Sequence, residues 1–128
     1  MNHTILVAVT DIFFYTKVRD ALRPQGYTLE RIRNQDEVAE KGAAVNPAAL
    51  ILNMNDLTVD AFKALETIRS NPALRALPIL AFANHEEVDT WHRAKELGVT
   101  KIVSRNEFSA RTKDLVDELI HPQPSIRA

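Results

Sequence analysis

The chain has 128 residues, a length typical of one domain, and 45% of them are hydrophobic, which is enough to form a core. It has no cysteine, so disulfides and thiolate metal sites are excluded, and its formal net charge of -1 gives no basic field for nucleic acid. Its beginning lacks a signal-peptide pattern, and no apolar run approaches the ~20 residues of a membrane span. We therefore expect a cytoplasmic protein that binds neither membranes nor nucleic acid.

The first half of the chain predicts two strands and two helices in alternation. Residues 5–9 form an uninterrupted apolar run, which is typical of a strand buried on both faces. Apolar residues at helical spacing follow over residues 12–23, with Asp11 as a candidate N-cap. A weaker strand is predicted over residues 27–32, and a short second helix over residues 35–44.

The second half continues this alternation with three more strands and three more helices. Thr58 is a candidate N-cap for the third helix, which the Asn71-Pro72 pair ends. Gly98 ends the fourth helix. The predicted strands are residues 49–52, 79–82 and 101–103, and the last two helices are residues 86–97 and 108–120.

Strands that alternate strictly with helices predict a parallel sheet covered by helices on both faces. In such a sheet the functional crevice lies beyond the carboxyl ends of the strands, where the strand order reverses. The residues that follow the buried strands are therefore the candidates for a functional site. They are Val9, Thr10, Asp11, residues 53–56, Ala83, Asn84 and residues 104–106.

Several segments resemble the receiver domain of response regulators, in order and at the right spacing. The most telling is residues 59–74, VDAFKALETIRSNPAL, which is similar to the receiver segment from the phosphorylation loop through the third helix. Residues 76–80 resemble the fourth strand, and residues 96–99 resemble the turn into the fifth. The resemblance extends over residues 4–120.

This resemblance to a chemotaxis-regulator-like receiver implies an α/β fold of the flavodoxin-like (βα)5 type. The sheet would be doubly wound and parallel, with five strands in the order 2-1-3-4-5. The receiver-like domain is expected over residues 1–120. Residues 121–128, which include two prolines, are expected to form a flexible tail.

The positions that carry receiver chemistry depart from the family pattern. Receivers hold Mg²⁺ with paired acids after the first strand and accept phosphate on an aspartate that ends the third strand. The resemblance places Val9 and Thr10 at the acid pair, Asn53 at the phosphoacceptor, Ala83 at the hydroxyl residue, Arg105 at the lysine, Asn106 at the next proline and Ile102 at the switch aromatic. The resemblance implies a degenerate phosphorylation pocket, which consists of Val9, Thr10, Asp11, Asn53, Ala83, Asn84 and Arg105.

These replacements remove groups that phosphoryl transfer needs. Mg²⁺ prefers oxygen ligands that include carboxylates, whereas Val9 offers none and Thr10 offers one neutral oxygen. The amide of Asn53 cannot form a stable acyl phosphate, and the methyl group of Ala83 cannot hydrogen-bond a phosphoryl oxygen. Arg105 keeps the positive charge, but as a planar fork. The sequence therefore predicts no enzymatic activity, no metal and no cofactor.

Two aspartates leave alternatives open. A register shift of one residue would bring Asp11 into an acid position, but it would turn alternate strand residues to the other face of the sheet. It would also need a compensating shift before Gly26. Asp56 follows Asn53 by three positions, either as a turn or cap aspartate or as a relocated acceptor that lacks a metal site.

The aromatic run Phe13-Phe14-Tyr15 also has two interpretations. Three successive residues span about 200° of a helix, so they cannot all face the core. We expect Phe14 in the core, and Phe13 or Tyr15 at the surface near the degenerate phosphorylation pocket. The ring there would either cover the pocket or contact a partner.

Trp91 is the best single candidate for a partner contact, with core packing as the alternative. The resemblance places it on the side of the fourth helix that receivers often use for partners, and tryptophan is enriched at binding hot spots. Lys95, Lys101 and Ile102 complete this candidate partner face.

Two pairs of basic residues are further candidates. His85 and His92 are seven positions apart, on one side of the predicted fourth helix, either as metal ligands or as surface residues. Arg31 and Arg33 lie near the end of the second strand, as an anion patch or as a solvated edge.

The leading interpretation is a pseudo-receiver, a protein–protein interaction module of two-component signalling or a phosphorelay that acts without phosphorylation. Its partner would be a histidine kinase, another receiver, an output protein or a second copy in a homodimer. The alternative is a sensor of small ligands or anions, which would use the vestigial pocket of Thr10, Asn53, Asn84 and Arg105. Another flavodoxin-like enzyme is disfavoured, because no Gly-rich phosphate loop follows the first strand.

Overall fold

The computed structural model describes residues 3–122, in which every predicted strand and helix is present. A 3-10 turn over Arg23–Gln25 extends the first helix. The strands are β1 (Thr4–Ala8), β2 (Thr28–Arg31), β3 (Ala49–Asn53), β4 (Ile79–Ala83) and β5 (Lys101–Ser104), and the helices are α1 (Ile12–Leu22), α2 (Gln35–Val45), α3 (Ala61–Ser70), α4 (Val88–Glu96) and α5 (Arg105–Ile120).

The strands form one parallel sheet in the order β2-β1-β3-β4-β5, which confirms the predicted flavodoxin-like fold. The register aligns the carboxyl ends of the inner strands, since Ala8 lies opposite Leu52 and Asn53 lies opposite Phe82. We use the name carboxyl edge for the connections after β1, β3, β4 and β5 together with the first turn of each following helix. It comprises residues 9–14, 54–63, 84–90 and 104–108.

Two apolar clusters lie on opposite faces of the sheet. Because side chains alternate along a strand, Leu50 and Ile51 of β3 belong to different clusters. Helices α2, α3 and α4 pack on the face of Leu50, whereas α1 and α5 pack on the face of Ile51. Strands β3 and β4 are buried on both faces, as their continuous apolar sequences predict.

Side-chain caps set the starts of α1, α3 and α5 on this edge. Asp11 caps α1 as predicted, because its carboxylate accepts hydrogen bonds from the N–H groups of Phe13 and Phe14 at 2.9 and 3.3 Å. The prediction of Thr58 as the α3 cap is wrong. Asp60 takes that role and accepts from the N–H of Lys63 at 3.1 Å.

The starts of the last two helices also differ from prediction. Helix α5 begins at Arg105 and not at residue 108, because Ser104 caps it by accepting from the N–H of Glu107 at 3.0 Å. Helix α4 begins at Val88 and not at residue 86. The Asn84 side chain accepts from the N–H of Glu86 at 3.0 Å and forms a turn before the helix.

The chain beyond α5 is described only at His121 and Pro122, which are both exposed. The rest of the predicted tail, residues 123–128, lies outside the described residues. Within residues 3–122, no helix is long and apolar enough to cross a bilayer.

Candidate functional site

A cleft of about 460 Å³ opens at the carboxyl edge, beside the ends of β1 and β3. It coincides with the crevice that the strand order predicts for this fold, between two strands whose chain connections leave on opposite faces. Its wall combines six polar or charged side chains from the candidate positions of the sequence with one exposed leucine and one further polar side chain. The lining residues are Thr10, Asp11, Asn53, Asn55, Asp56, Leu57, Thr58 and Arg105.

The carboxylate of Asp56 joins two walls of this cleft. Its Oδ1 accepts from the N–H of Thr10 at 2.7 Å, and its Oδ2 accepts from the Thr10 hydroxyl at 2.8 Å. The same Oδ2 also accepts from the N–H groups of Thr58 and Val59 at 3.0 and 2.9 Å. Oδ2 thus accepts three of these hydrogen bonds and Oδ1 accepts one, so the carboxylate holds the two loops together. Asp56 is therefore a turn aspartate with a long-range contact, which agrees with the first of its two interpretations.

Asn53 occupies the end of β3 and is 4% exposed. Its side-chain oxygen accepts from the N–H of Asn55 at 2.9 Å, so the amide group is turned into the loop that follows. Asn55 in turn connects this loop to the next one. Its Oδ1 accepts from the N–H of Asn84 at 3.1 Å, and its Nδ2 donates to the Glu87 carboxylate at 2.7 Å. The sequence analysis included Asn55 only as one of residues 53–56 and gave it no role of its own.

Val9 and Ala83 contribute no functional group to the cleft. Both are fully buried, and they belong to the apolar clusters on opposite faces of the sheet. A carboxylate at either position would lose its hydration, which costs several kcal/mol unless an ion partner compensates for it. The two apolar residues are thus part of the core packing on either face of the sheet.

Arg105 lies on an aromatic stack. Its guanidinium carbon is 4.9 Å from the ring centre of Phe14 and 5.7 Å from that of Phe82. The rings of Phe82 and Phe108 stack beneath, with their centres 4.4 Å apart. The planar guanidinium suits this stacking better than an ammonium group would. Within residues 3–122, the Arg105 side chain has no hydrogen-bonding or ion-pair partner.

The structure resolves the aromatic run at the start of α1. Phe14 packs against the core as predicted, with its ring centre 4.9 Å from that of Phe82, although its side chain is only half-buried. Tyr15 is buried, at 9% exposure, and the Arg31 guanidinium lies 4.8 Å from its ring centre. Phe13 is the ring that faces outwards, at 84% exposure.

Arg31 is a second cation near the cleft, and it is held by the protein. It donates to the carbonyl of Thr10 at 3.0 Å, while its Nε is buried without a hydrogen-bonding partner. It stacks on Tyr15 and is not among the residues that line the cleft. Arg33 is exposed, and its backbone N–H donates to the Glu37 carboxylate at 2.7 Å; the anion patch of Arg31 and Arg33 stays a prediction.

The candidate partner face is only partly exposed. Trp91 is half-buried, packs against the core cluster and donates from its indole N–H to the carbonyl of Asn84 at 3.0 Å. Ile102 is 9% exposed, whereas Lys95 and Lys101 are exposed. Trp91 therefore has a packing role, and the exposed part of this face is basic.

Metal binding has little support on this edge. The described residues contain no group of three or more histidine, aspartate or glutamate side chains that could hold a metal ion. His85 lies in the turn before α4, while His92 lies within that helix. The prediction that both lie on one helix is therefore wrong.

The chain has the fold of a receiver domain, as comparison with solved structures shows. No protein-family model matches it, and no curated protein matches it in sequence. A response regulator from Chloroflexus aurantiacus matches with a TM-score of 0.83 and 20% identity, over 94% of this chain and 98% of that one. A signal receiver domain from Bermanella marisrubri matches with a TM-score of 0.83 and 16% identity, over 94% and 100%.

A third similar structure is the receiver domain of a signal transduction histidine kinase from Syntrophus aciditrophicus. Its TM-score is 0.81 at 18% identity, over 98% of both chains. The described chain thus spans nearly the full length of these domains. At such identities the likeness establishes the fold, while the function has to be argued from the residues at the carboxyl edge.

Proposed function

We propose that this chain is a pseudo-receiver, which acts in two-component signalling as a protein–protein interaction module without being phosphorylated. The observation that carries the proposal is the state of Asn53, which ends β3 where a receiver has its phosphoacceptor. The residue is 4% exposed, and its side-chain oxygen accepts a hydrogen bond from the N–H of Asn55 in the next loop. An amide in this position neither accepts a phosphoryl group stably nor neutralises a metal.

Three neighbouring groups support this proposal. Val9 and Ala83 place apolar side chains where a metal ligand and a hydroxyl group would be needed, and both are fully buried. Asp56, the carboxylate nearest in sequence to Asn53, is engaged in four hydrogen bonds within the fold. A domain that has the receiver fold but lacks the groups for phosphoryl transfer is suited to binding a protein partner.

Intact-mass measurement tests the absence of phosphorylation. The protein is incubated with Mg²⁺ and acetyl phosphate, beside a receiver domain that carries its acceptor aspartate as a positive control. We expect an unmodified mass for this chain and also for Asn53→Asp, because Val9 still supplies no metal ligand. A phosphoryl adduct on the wild-type chain contradicts the proposal, and peptide mapping at Asp11 and Asp56 would then locate it.

A second candidate function is favoured by the cleft itself. The volume of about 460 Å³ is within the range of small-ligand sites, and Arg105 offers it an unpaired guanidinium. A small anion that bound there would raise the melting temperature of the protein. If the protein is such a sensor, phosphate or a carboxylic acid should raise the melting temperature of the wild type. The same ligand should leave the melting temperature of Arg105→Gln unchanged.

A further inference from the structure

The large apolar side chains that the described residues expose lie at one edge of the sheet. In residues 3–122 they are Ile12, Phe13, Leu57 and Val88, with exposures of 51, 84, 100 and 58%. All four belong to the carboxyl edge, in the connections that follow β1, β3 and β4. Single exposed apolar residues are ordinary, but their concentration at one edge is typical of an interaction surface.

Hydrogen bonds join these three connections to one another. Thr10, after β1, donates from its N–H and its hydroxyl to the Asp56 carboxylate, after β3, at 2.7 and 2.8 Å. Asn55, also after β3, accepts from the N–H of Asn84 at 3.1 Å and donates to the Glu87 carboxylate at 2.7 Å. We use the name joined loops for residues 9–14, 54–63 and 84–90.

The joined loops also concentrate negative charge. They carry six carboxylates and one lysine, although the whole chain has 17 acidic residues and 16 lysines and arginines. The fourth connection of the carboxyl edge adds Arg105 and Glu107, whose charges cancel. The charged residues of the joined loops are Asp11, Asp56, Asp60, Glu86, Glu87, Asp89 and Lys63.

None of these six carboxylates forms an ion pair among the described residues. Four of them accept hydrogen bonds from neutral donors only, which leaves their charge in place. Glu86 and Asp89 are exposed and have neither a hydrogen bond nor an ion pair to their side chains within residues 3–122. The ion-paired carboxylates of the described chain all lie outside the joined loops, at Asp20, Glu30, Glu37, Glu107, Asp114, Asp117 and Glu118.

Helix dipoles do not balance this charge. Helices α1, α3 and α4 begin in the joined loops, and the N-terminus of each carries about half a positive charge. Three such ends offset only about a quarter of the charge of six carboxylates. Capping accounts for Asp11 and Asp60, but α4 begins without a side-chain cap. The charges of Glu86 and Asp89 therefore remain available to a partner.

A metal ion is not the cation that this surface fits. In residues 3–122, no three histidine, aspartate or glutamate side chains are grouped so that they could hold one. A metal ion would also leave the exposed apolar side chains uncovered. A protein segment that has both cationic and apolar side chains matches both features of the surface.

We propose that the joined loops dock a segment of a protein partner that carries lysine or arginine beside apolar side chains. Its cations pair with Glu86 and Asp89, and its apolar side chains pack on Leu57 and Val88. Opposite charges on the two surfaces steer their encounter and fix their orientation, while the burial of apolar area adds affinity. This inference rests on the proposed interaction function and names the chemistry of its partner.

The docking surface is distinct from the candidate partner face around Trp91. The Trp91 ring packs against the core cluster and its indole N–H donates to the carbonyl of Asn84. The exposed side chains on that face, Lys95 and Lys101, are cations and would repel a basic segment. A basic partner thus discriminates between the two surfaces.

Peptide selection tests the proposal with a defined probe. A library of random peptides displayed on phage is selected on the wild-type protein, and the recovered sequences are synthesised for fluorescence anisotropy. We expect peptides in which lysines or arginines stand beside apolar residues. Their affinity should fall at least about fivefold between about 50 and about 500 mM NaCl, because salt screens exposed charges.

Two matched double variants locate the site. Glu86→Gln with Asp89→Asn removes two unpaired charges from the joined loops and should weaken peptide binding about fivefold. Glu66→Gln with Glu96→Gln removes the same charge from exposed positions of α3 and α4 outside these loops, and it should bind the peptides as the wild type does. Equal weakening by both pairs overturns the docking surface, because net charge alone would then decide the affinity.

Substitutions of the apolar side chains test the second half of the surface. Leu57→Ser and Val88→Ser should each weaken binding, and circular dichroism verifies that every variant keeps its helix content. Unchanged affinity in both overturns the proposed packing. The docking surface is also overturned if no peptide is selected, or if the selected peptides lack basic residues.

Three further results separate this inference from the proposed function. Loss of binding in Lys101→Gln alone would place the interface on the Trp91 face, which overturns the docking surface and leaves the interaction function intact. If sedimentation shows a dimer that Glu86→Gln with Asp89→Asn dissolves, the occupant is a second copy and not a separate basic partner. A phosphoryl adduct in the mass experiment refutes the proposed function itself, whichever peptides are recovered.

Discussion

Asp56 and Thr10, which are 46 positions apart, are joined by two hydrogen bonds to one carboxylate. The N–H of Thr10 donates to Oδ1 and its hydroxyl donates to Oδ2, so both the backbone and the side chain of Thr10 are fixed. The β1–α1 connection, which forms one wall of the cleft, is thus attached to the loop after β3. Since an aspartate at this point bonds with both of its oxygens, its replacement affects more than the local turn.

We predict that Asp56→Asn lowers the free energy of unfolding by about 2 kcal/mol, because a neutral amide cannot accept all four hydrogen bonds. Thr10→Val removes only the hydroxyl bond and should cost about 1 kcal/mol. Urea denaturation measures both, and Asp114→Asn on the exposed side of α5 serves as the control. The double variant should lose less than the sum of the two, and strict additivity would contradict direct coupling.

The aromatic stack beneath Arg105 gives a second prediction. Replacing Arg105 with glutamine removes the contact with Phe14 and should lower the free energy of unfolding by about 1 kcal/mol. Arg105→Lys should cost less, because it keeps the charge. A matched substitution, Lys101→Gln, should change the unfolding free energy little, since Lys101 is exposed. Equal losses for Arg105→Gln and Lys101→Gln would show that the stacking contributes nothing.

Arg69 of α3 ties together the turns at the opposite edge. Its guanidinium donates to the carbonyls of Arg75 and Leu77 at 2.6 and 3.0 Å, and also to the carbonyl of Gly98. Burial lowers the pKa of Arg69, as expected for a cation taken partly out of water. We predict that Arg69→Met destabilises the fold by about 3 kcal/mol, because three carbonyls lose a charged donor. Arg75→Met, at an exposed side chain, is the matched control in thermal unfolding.

The bond between Tyr27 and Asp117 predicts a dependence of stability on pH. Burial, followed by the hydrogen bond of 2.7 Å to Asp117, raises the pKa of Tyr27 to about 12. The unfolded chain loses this proton near its ordinary pKa of 10.0, so stability is fully present below that pH. It should be lost progressively as the pH rises from about 10 to about 12.

Tyr27→Phe has no proton to lose, so the difference in unfolding free energy between it and the wild type should shrink over that window. The hydrogen bond from Tyr27 also lowers the pKa of Asp117, and this part of the stability is lost when the pH falls below the ordinary carboxylate range. Urea titrations of both proteins from pH 3 to 12 measure the two limbs. A constant difference over all pH values would rule out the coupling.

The sequence predicted the fold because its signals are local and repeated. Continuous apolar runs such as residues 49–52 mark strands buried on both faces, and their alternation with amphipathic segments leaves a doubly wound sheet as the simple solution. The caps were less certain, because several polar residues precede each helix. Thr58 and Asp60 are both good N-caps by type, but the Thr58 N–H donates to Asp56 in the preceding turn, and Asp60 is the cap.

The site was predictable in position but not in detail. The topology places Thr10, Asn53 and Arg105 at one cleft, as expected from the ends of their strands. The contact of Asp56 with Thr10 joins two loops distant in sequence, and no spacing rule indicates it. The exposure of Phe13 and the burial of Tyr15 depend on the angle of α1 against the sheet, which residue type alone does not define.

The stacking of Phe14, Phe82 and Phe108 has a consequence for how the chain folds as it is synthesised. These rings come from α1, β4 and α5, so the stack cannot close until residue 108 has left the ribosome. Strands β1, β2 and β3 can pair earlier, because they lie within the first 53 residues. We therefore expect the nascent chain to remain loosely packed on the α1 side until its last helix emerges, with this apolar surface open to chaperones in the meantime.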